Sequence, residues 1–361
     1  MGVLLKIAIF QDYFENIGGA EKLVLSLAKQ LNATIITTNL NKSALKHMEI
    51  ENIKIINLGM LPKHVFLKHW AVSLKFFLCD FSKDFDFFIF SGNRSIFASK
   101  KHKPNLWYCH TPERAVYDLY SFYRNQMNFF DKIIFTFGAL TFRFLTNQSI
   151  REVQKIVCNS ENVKKRIQKY LRQKAKIIFP FADTKKFYFS KPGGYWLSVN
   201  RLYPSKRVEL QIETFRKMPE QKLIIVGDFV KGDPSEEYAK KIFSNAPKNI
   251  EFTWMVKEHE LARLYANSIG FITTSRDEDF GMTVIEAMAS GKPVVAVNEG
   301  GYLETVLHKK TGLLVNANIE ELISAVKKIS KNPKKYKLAC IKQAKKFDIS
   351  KFVKKIKMEM S

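Results

Sequence analysis

The residues best suited to chemistry form one run in the last third of the chain, Glu278-Asp279-Phe280-Gly281-Met282-Thr283-Val284-Ile285-Glu286. Two carboxylates, Glu278 and Glu286, bracket a Gly-containing turn that becomes a helix. Thr283 and Glu286 have the spacing of a capping box, Gly291 marks a helix end, and Pro293 opens a buried apolar strand. Such a turn aims free backbone N–H groups and the positive end of a helix dipole at one spot, where an anion such as a pyrophosphate can sit. The flanking carboxylates can accept hydrogen bonds from hydroxyl groups. Phosphate donors beside hydroxyl acceptors suit a nucleotide sugar. The same run also reads as a capped core helix behind an acidic loop.

Three further sets of residues could share that chemistry. In Ser198-Val199-Asn200-Arg201-Leu202-Tyr203-Pro204-Ser205-Lys206-Arg207, Arg201 offers a guanidinium fork and Lys206 a point charge for a diphosphate. In a chain with 59 Lys and Arg it also reads as a solvated basic loop. Gly18-Gly19 ends the loop after the first strand and opens a helix, where a missing side chain lets the backbone approach a phosphate; a plain tight turn explains it equally. His110, in Tyr108-Cys109-His110-Thr111-Pro112-Glu113-Arg114, follows a short apolar strand and could donate to a sugar hydroxyl, or be a structural histidine. Asp84-Phe85-Asp86 and Asp277-Glu278-Asp279 both have the Asp-x-Asp spacing of metal-dependent sugar transferases. Arg201 and Lys206 already offer positive charge to a leaving diphosphate, so neither a metal nor another cofactor is expected.

The elements that would hold these residues alternate between strand and helix. Val3–Phe10, Ala33–Thr37, Ile53–Ile56, Phe87–Phe90, Leu106–Tyr108 and Lys155–Cys158 read as strands, with an amphipathic helix at Ala20–Leu31. The pattern restarts with strands at Tyr195–Val199, Lys222–Val226, Phe271–Thr274 and Pro293–Val297. The helices expected among them are Val208–Lys217, Leu261–Asn267, Thr283–Ser290 and Glu320–Ser330. Alternation of this kind implies α/β architecture with two doubly wound parallel sheets. The expected division is an acceptor-binding Rossmann-like domain at 1–176, a nucleotide-sugar-binding one at 177–346, and a helix at 347–361 crossing back to the first. Every suggestive motif falls in a loop just after an expected strand, where such sheets bind ligands, so the ligand is expected between the two halves.

Bulk properties narrow the partners. A chain of 361 residues with 46% hydrophobic content has ample core for two domains. Scattered Cys79, Cys109, Cys158 and Cys340 form no CxxC pair, which argues against a zinc site or disulfide framework and fits a reducing, cytoplasmic compartment. No apolar run reaches the length of a membrane span. The net charge of +25 points to an anionic partner. Nucleic acid is one candidate, but the signatures of the common RNA- and DNA-binding modules are absent, so no specific nucleic acid is expected. An anionic membrane surface is favoured. In Leu61–Phe77, Lys63, Lys68 and Lys75 are interleaved with Val65, Phe66, Leu67, Trp70, Phe76 and Phe77; Tyr123–Leu145 is rich in Phe and holds Arg124 and Arg143. Packing of these aromatics in the core is the competing reading.

Taken in order, these residues resemble the glycosyltransferase family 4 group of GT-B-fold enzymes. The Glu-x7-Glu stretch with Phe280-Gly281 is similar to its signature. Gly18-Gly19-Ala20-Glu21, His110-Thr111-Pro112, Asn159-Ser160, Arg201-Leu202 with Lys206, Gly227-Asp228 and Gly300-Gly301 with Glu304-Thr305 look like its other landmarks. His-Thr-Pro-x-Arg and Glu-Asp-Phe-Gly point to the mannosyltransferase-like members that build bacterial surface polysaccharides, including lipopolysaccharide. Met282, Val284 and Asn298-Glu299 depart from the usual pattern.

The resemblance implies a retaining hexosyltransferase, with mannose from GDP-mannose the best match for the donor and a UDP-sugar the other option. A glycan or lipid-linked molecule is the implied acceptor. It implies that Glu286 holds the ribose, Glu278 the transferred sugar, and Arg201 and Lys206 the diphosphate. Gly18, Gly19 and the amides of Phe280, Gly281, Met282 and Thr283 would complete the cradle, and His110 would meet the donor sugar. A UDP-sugar epimerase of the same fold, or a basic nucleic-acid-binding protein, are the alternatives.

Overall fold

A computed structural model describes residues 5–15, 18–41, 53–62, 65–229, 234–254 and 256–360. Val3, Leu4 and Lys63, part of two of the stretches above, lie outside the described residues, as do the side chains of Val65 and Phe66. The chain divides into two compact units, residues 1–179 with 352–361, and residues 180–351.

The first unit is built on a parallel sheet of seven strands in the order β3-β2-β1-β4-β5-β6-β7. Its strands are β1 (Ile7–Phe14), β2 (Thr34–Leu40), β3 (Ile55–Asn57), β4 (Phe87–Ser91), β5 (Asn105–Cys109), β6 (Lys155–Cys158) and β7 (Lys176–Ile177). Every residue of β4 and β5 is buried, as expected of central strands covered on both faces. Phe10, Phe88, Phe90 and Trp107 form the core of this sheet. His102 is set among these rings. Its Nδ1 lies 2.7 Å from the Ala98 carbonyl and its Nε2 accepts from the Phe81 N–H, so both nitrogens serve structure. Around the sheet lie helices α1 (Gly19–Leu31), α2 (Val65–Leu78), α3 (Tyr120–Asn125), α4 (Phe129–Ile150) and α5 (Glu161–Arg166).

The second unit has a parallel six-stranded sheet, β10-β9-β8-β11-β12-β13. The strands are β8 (Tyr195–Arg201), β9 (Lys222–Asp228), β10 (Ile250–Thr253), β11 (Phe271–Thr273), β12 (Val294–Val297) and β13 (Gly312–Val315). The helices are α6 (Val208–Arg216), α7 (Pro234–Ser244), α8 (Glu258–Asn267), α9 (Met282–Ala289), α10 (Tyr302–Thr305), α11 (Ile319–Ser330) and α12 (Lys337–Ala344). The last helix, α13 (Ile349–Met360), sends its later residues to the first unit. There the Phe352 ring meets Tyr108 edge-on, and Lys155 and Lys176 both bond to Glu359.

In each sheet the strand order reverses once, between β1 and β4 and between β8 and β11. Loops leaving the carboxyl ends of those neighbours go to opposite sides and open a crevice. In the first unit that crevice holds a carboxylate of the chain itself. Asp12, near the end of β1, accepts from the N–H groups of Asn93, Arg94 and Ser95 at 2.8–3.2 Å, at the start of the short 3₁₀ helix Ser95–Ala98. Gly92, with φ +114°, makes room for it, since a Cβ there would come within 2.5 Å of the Asp12 carboxylate. Asp12 is buried, and burial pushes its pKa up against the pull of Arg94. Replacing it with alanine leaves these N–H groups without their acceptor, while the Arg94 guanidinium keeps Glu113. Asp12→Ala should therefore lose about 3 kcal/mol in urea unfolding, the scale for breaking a buried charged network. A loss under about 1 kcal/mol would mean that water replaces the carboxylate without penalty.

Candidate active site

In the second unit the three loops after β8, β11 and β12, neighbours in the sheet, converge on one place. Strand β8 ends at exposed Arg201, and the chain then enters a 3₁₀ turn, Pro204–Lys206. After β11 it runs through Asp277, in the left-handed region at φ +48°, to Glu278 and Gly281. The two loops are stitched together. Arg276 N–H donates to the Ser205 carbonyl at 2.8 Å, Thr274 Oγ1 lies within 3.0 Å of the Lys206 and Arg207 carbonyls, and Arg207 Nε donates to the Thr274 carbonyl. At their meeting point Lys206 Nζ donates to Glu278 Oε2 at 2.7 Å. Two of the residues singled out in the sequence are thus an ion pair at the strand-order reversal.

The loop after β12 supports this arrangement from the far side. Glu299 takes both ends of the Arg207 guanidinium, at 2.7 and 3.1 Å, and also accepts from the Asp277 N–H. Gly301 N–H donates to the Glu278 carbonyl at 2.7 Å. A side chain at Gly300 or Gly301 would collide with the backbone of residues 277–280, so this landmark serves to let two loops touch. Tyr302, fully buried, completes the shell. Its hydroxyl lies 2.6 Å from Thr273 Oγ1 and 3.4 Å from Glu278 Oε2. Burial, and then the Glu278 charge, push that phenol well above its ordinary pKa, so it stays a neutral donor.

Helix α9 differs from the expected start. It begins at Met282, one residue early, behind Gly281 at φ +90°, and no side chain caps it. Thr283 therefore sits inside the first turn, and the expected capping box with Glu286 does not form. The left-handed entry at Gly281 places the turn where a β-region cap residue would have to be. Without a side-chain cap, the N–H groups of Met282 and Thr283 have no acceptor within the helix. Glu286 faces another partner, its Oε2 accepting from the hydroxyl of buried Tyr265 at 2.8 Å. Burial and the Glu286 charge push the Tyr265 phenol well above its usual range. Phe280 is buried, its ring edge-on to Phe347, and serves to anchor the loop.

The remaining candidates lie in the first unit. His110 directly follows β5, and its Nε2 is 2.8 Å from Ser91 Oγ at the end of β4, beside the first sheet's reversal point. Its carbonyl accepts from Asn159 Nδ2 at 2.7 Å, which joins two landmarks of the sequence. Gly18 is the N-cap of α1, and its N–H is engaged by Glu21 Oε2 at 2.8 Å, as in a capping box. Gly19 begins the helix. Asp86 of the first Asp-x-Asp accepts from the Lys6 N–H at the strand entry. Among the described residues no group of His, Cys, Asp or Glu is arranged to hold a metal ion.

Sequence reading missed Tyr265, Tyr302 and Glu299, and read Arg207 only as part of a basic loop. Nothing in their local pattern marks them; only the fold brings each within reach of Glu286, Glu278 or the acidic loop.

Residues 181–347 match the family model described as Glycosyl transferases group 1. The alpha-1,3/1,6-mannosyltransferase ALG2 of Dictyostelium discoideum is 24% identical to this chain over 88% of each sequence. A GDP-mannose-dependent alpha-mannosyltransferase of Mycolicibacterium smegmatis is 35% identical over 33% of this chain and 30% of its own. Among solved structures, Anabaena Alr3699/HepE in complex with UDP and glucose superposes with a TM-score of 0.79 at 18% identity, covering 98% of this chain and 99% of that one. The sucrose-phosphate synthase of Thermosynechococcus elongatus gives 0.78 at 16% identity, covering 98% of each. Two Rossmann-like units of this kind make the GT-B fold, and the protein is a glycosyltransferase. It is like the family 4 enzymes, with mannosyltransferases among its homologues.

The burial of His110 has a measurable consequence. Burial pushes its pKa down from 6.5 to about 4. As pH falls through 6.5 the unfolded chain takes up a proton there and the folded chain does not, until about pH 4. The stabilising contribution is thus full above 6.5 and is lost on acidification, at no more than about 1.4 kcal/mol per pH unit. Urea midpoints of wild type should fall more steeply between pH 7 and 5 than those of His110→Asn. Parallel curves would show that His110 is not held neutral.

Proposed function

We propose that the protein is a retaining mannosyltransferase that takes its hexose from GDP-mannose, with a UDP-sugar as the second donor to test. The observation that carries the reading is the Lys206–Glu278 pair at the β8/β11 reversal, beside the uncapped start of α9. Glu278 and the α9 amides together offer hydroxyl acceptors and phosphate donors, the two halves of nucleotide-sugar recognition. The mannosyltransferase names among the homologues support the choice of sugar, and the GDP-mannose dependence of one of them supports the nucleotide.

In this reading the second unit holds the donor and the first selects the acceptor, a glycan or lipid-linked molecule of cell-surface polysaccharide synthesis. The diphosphate lies against the N–H groups of Met282 and Thr283. Lys206 and Arg201 neutralise it as the glycosidic C–O bond breaks. Glu286, held by Tyr265, accepts from the ribose hydroxyls; Glu278 accepts from the sugar hydroxyls. His110, neutral, donates to the sugar. The acceptor hydroxyl attacks from the face the diphosphate leaves, which preserves the anomeric configuration, and the departing phosphate oxygen takes the hydroxyl proton. Stabilisation of that phosphate is the main catalytic term. The enzyme works on the cytoplasmic side as a peripheral protein at an anionic membrane surface. No helix among the described residues is long and apolar enough to cross a membrane.

Lys206→Ala and Arg201→Ala should each reduce kcat/KM for nucleotide-sugar turnover by about 2–4 kcal/mol in transition-state terms. Near-normal turnover by the folded double variant would reject the assignment. The two glutamates should separate kinetically. Glu286→Gln and Tyr265→Phe should raise the donor KM with little change in kcat, because both act on nucleotide binding. Glu278→Gln should lower kcat and alter the preference among donor sugars. Identical profiles for Glu286→Gln and Glu278→Gln would contradict this division of labour.

A further inference from the structure

Helix α4 carries an apolar face that the first unit does not cover. Phe129, Phe130, Phe137 and Phe144 are 71%, 75%, 68% and 60% exposed, and Ile133, Ile134 and Leu140 are exposed with them. At 3.6 residues per turn these positions share an arc of about 140° and run roughly 23 Å along the helix. The other positions in that arc are Thr141, Asn147 and Gln148, so it contains no charge. The opposite face is the packed one. Ala139, Thr146 and Ile150 are buried, and Phe142 lies edge-on to Phe97. Arg143 turns away from the exposed arc, its guanidinium donating to the Val116 carbonyl and lying over the Tyr120 ring.

The sequence pointed to two stretches, and the structure divides them. In Leu61–Phe77, Phe76 is core, Lys68 pairs with Glu15 and Lys75 donates to the Leu58 carbonyl; Leu67 and Phe77 remain exposed on α2. Both helices pack against the same 3₁₀ helix, Ser95–Ala98, and the segment after it ties their ends. Ser99 Oγ donates to the Ser149 carbonyl near the end of α4, and Lys101 Nζ to the Leu78 carbonyl at the end of α2. Exposed Lys100 and Lys101 therefore sit between the ends of the two apolar helices, with exposed Arg151 at the C-cap of α4, while Lys103 is paired with Glu152.

We infer that α4 is the element that docks this protein on an anionic lipid bilayer, lying in the plane of the interface with its phenylalanine face inserted. The inference rests on the peripheral-membrane part of the proposed function and assigns residues to it. Charge complementarity selects the occupant. A chain of net charge +25 with a basic border at this face is attracted to anionic headgroups, whereas a second copy would bring the same positive charge against it. An uncharged arc of large side chains on a helix too polar overall to span suits insertion at the acyl boundary.

The test is co-sedimentation of the full chain with phosphatidylglycerol/phosphatidylcholine vesicles, with phosphatidylcholine vesicles, and with added salt. Nucleotide-sugar turnover is measured on the same preparations. Wild type should pellet with the anionic vesicles and be released by salt. The variant Phe130→Ser/Phe137→Ser/Phe144→Ser alters only exposed side chains and should keep its circular dichroism and donor turnover. Its apparent vesicle affinity should fall on the order of tenfold or more. Pelleting of the variant equal to wild type would overturn the assignment to α4 and leave membrane binding standing. Wild type remaining in solution at low salt would overturn the membrane reading as well, while normal turnover would leave the transferase reading intact. A wild-type dimer that the variant makes monomeric, without lipid binding, would assign the face to a second copy and overturn the inference.

Discussion

The reversal of strand order is the constraint on which both halves depend. A parallel sheet must place its crossover helices on its faces, and where the winding changes direction two neighbouring loops separate and leave backbone donors facing a gap. Each unit resolves that gap differently. Between β1 and β4 the chain supplies its own anion, Asp12, whose carboxylate takes three backbone N–H groups. Between β8 and β11 the charges come from side chains at the loop surface, Lys206 and Glu278, and the first N–H groups of α9 stay unused by its own helix. One reversal point is closed by a carboxylate of the chain, and at the other the helix start has no side-chain cap. That asymmetry supports donor binding by the second unit.

The geometry around Glu278 depends on packing rather than on local sequence. Arg207 and Asp277 both adopt left-handed backbone without being glycine. Such conformations persist when surroundings over-determine them, and here the Arg207–Glu299 fork and the Asp277 N–H bond to the same carboxylate do so. Gly300 and Gly301 allow the approach, and Tyr302 fills the space beneath. The acidic loop is thus held from three strands before any ligand arrives, the condition for a charge to be stabilised without reorganisation.

Much of the architecture was legible because its signals are local. Central strands such as β4, β5 and β12 are continuous apolar runs, and α1 and α11 have clear 3.6-residue periodicity. The boundaries erred where strands outran their apolar residues: β1 continues through Gln11 and Asp12 to Phe14, and β9 through Gly227 to Asp228. Strand β7, two residues long, and edge strand β10 gave no pattern strong enough to read. The motifs of the candidate site were visible as residues, but their partners were not. Tyr265 lies 21 positions from Glu286, and Glu299 lies 92 from Arg207, so only the sheet brings them together. The capping-box reading failed for a related reason. Thr283 and Glu286 satisfied the spacing rule, while the left-handed turn at Gly281 decided where the helix starts.

The Lys206–Glu278 pair also bears on how a donor would enter. Without a diphosphate, each charge has the other as partner at 2.7 Å, in a partly buried setting where an isolated charge is costly. In the proposed reaction a diphosphate arriving at α9 competes for Lys206, because its charge exceeds that of one carboxylate. Glu278 then loses a cation and gains the capacity to accept hydrogen bonds, beside the place where the sugar follows the phosphate. Tyr302, kept protonated by burial and by Glu278 itself, lies 3.4 Å from the same carboxylate oxygen and offers it a neutral donor. In the proposed reaction one residue pair therefore serves two states: mutual neutralisation in the free enzyme, and separate contacts to phosphate and sugar once the donor is bound.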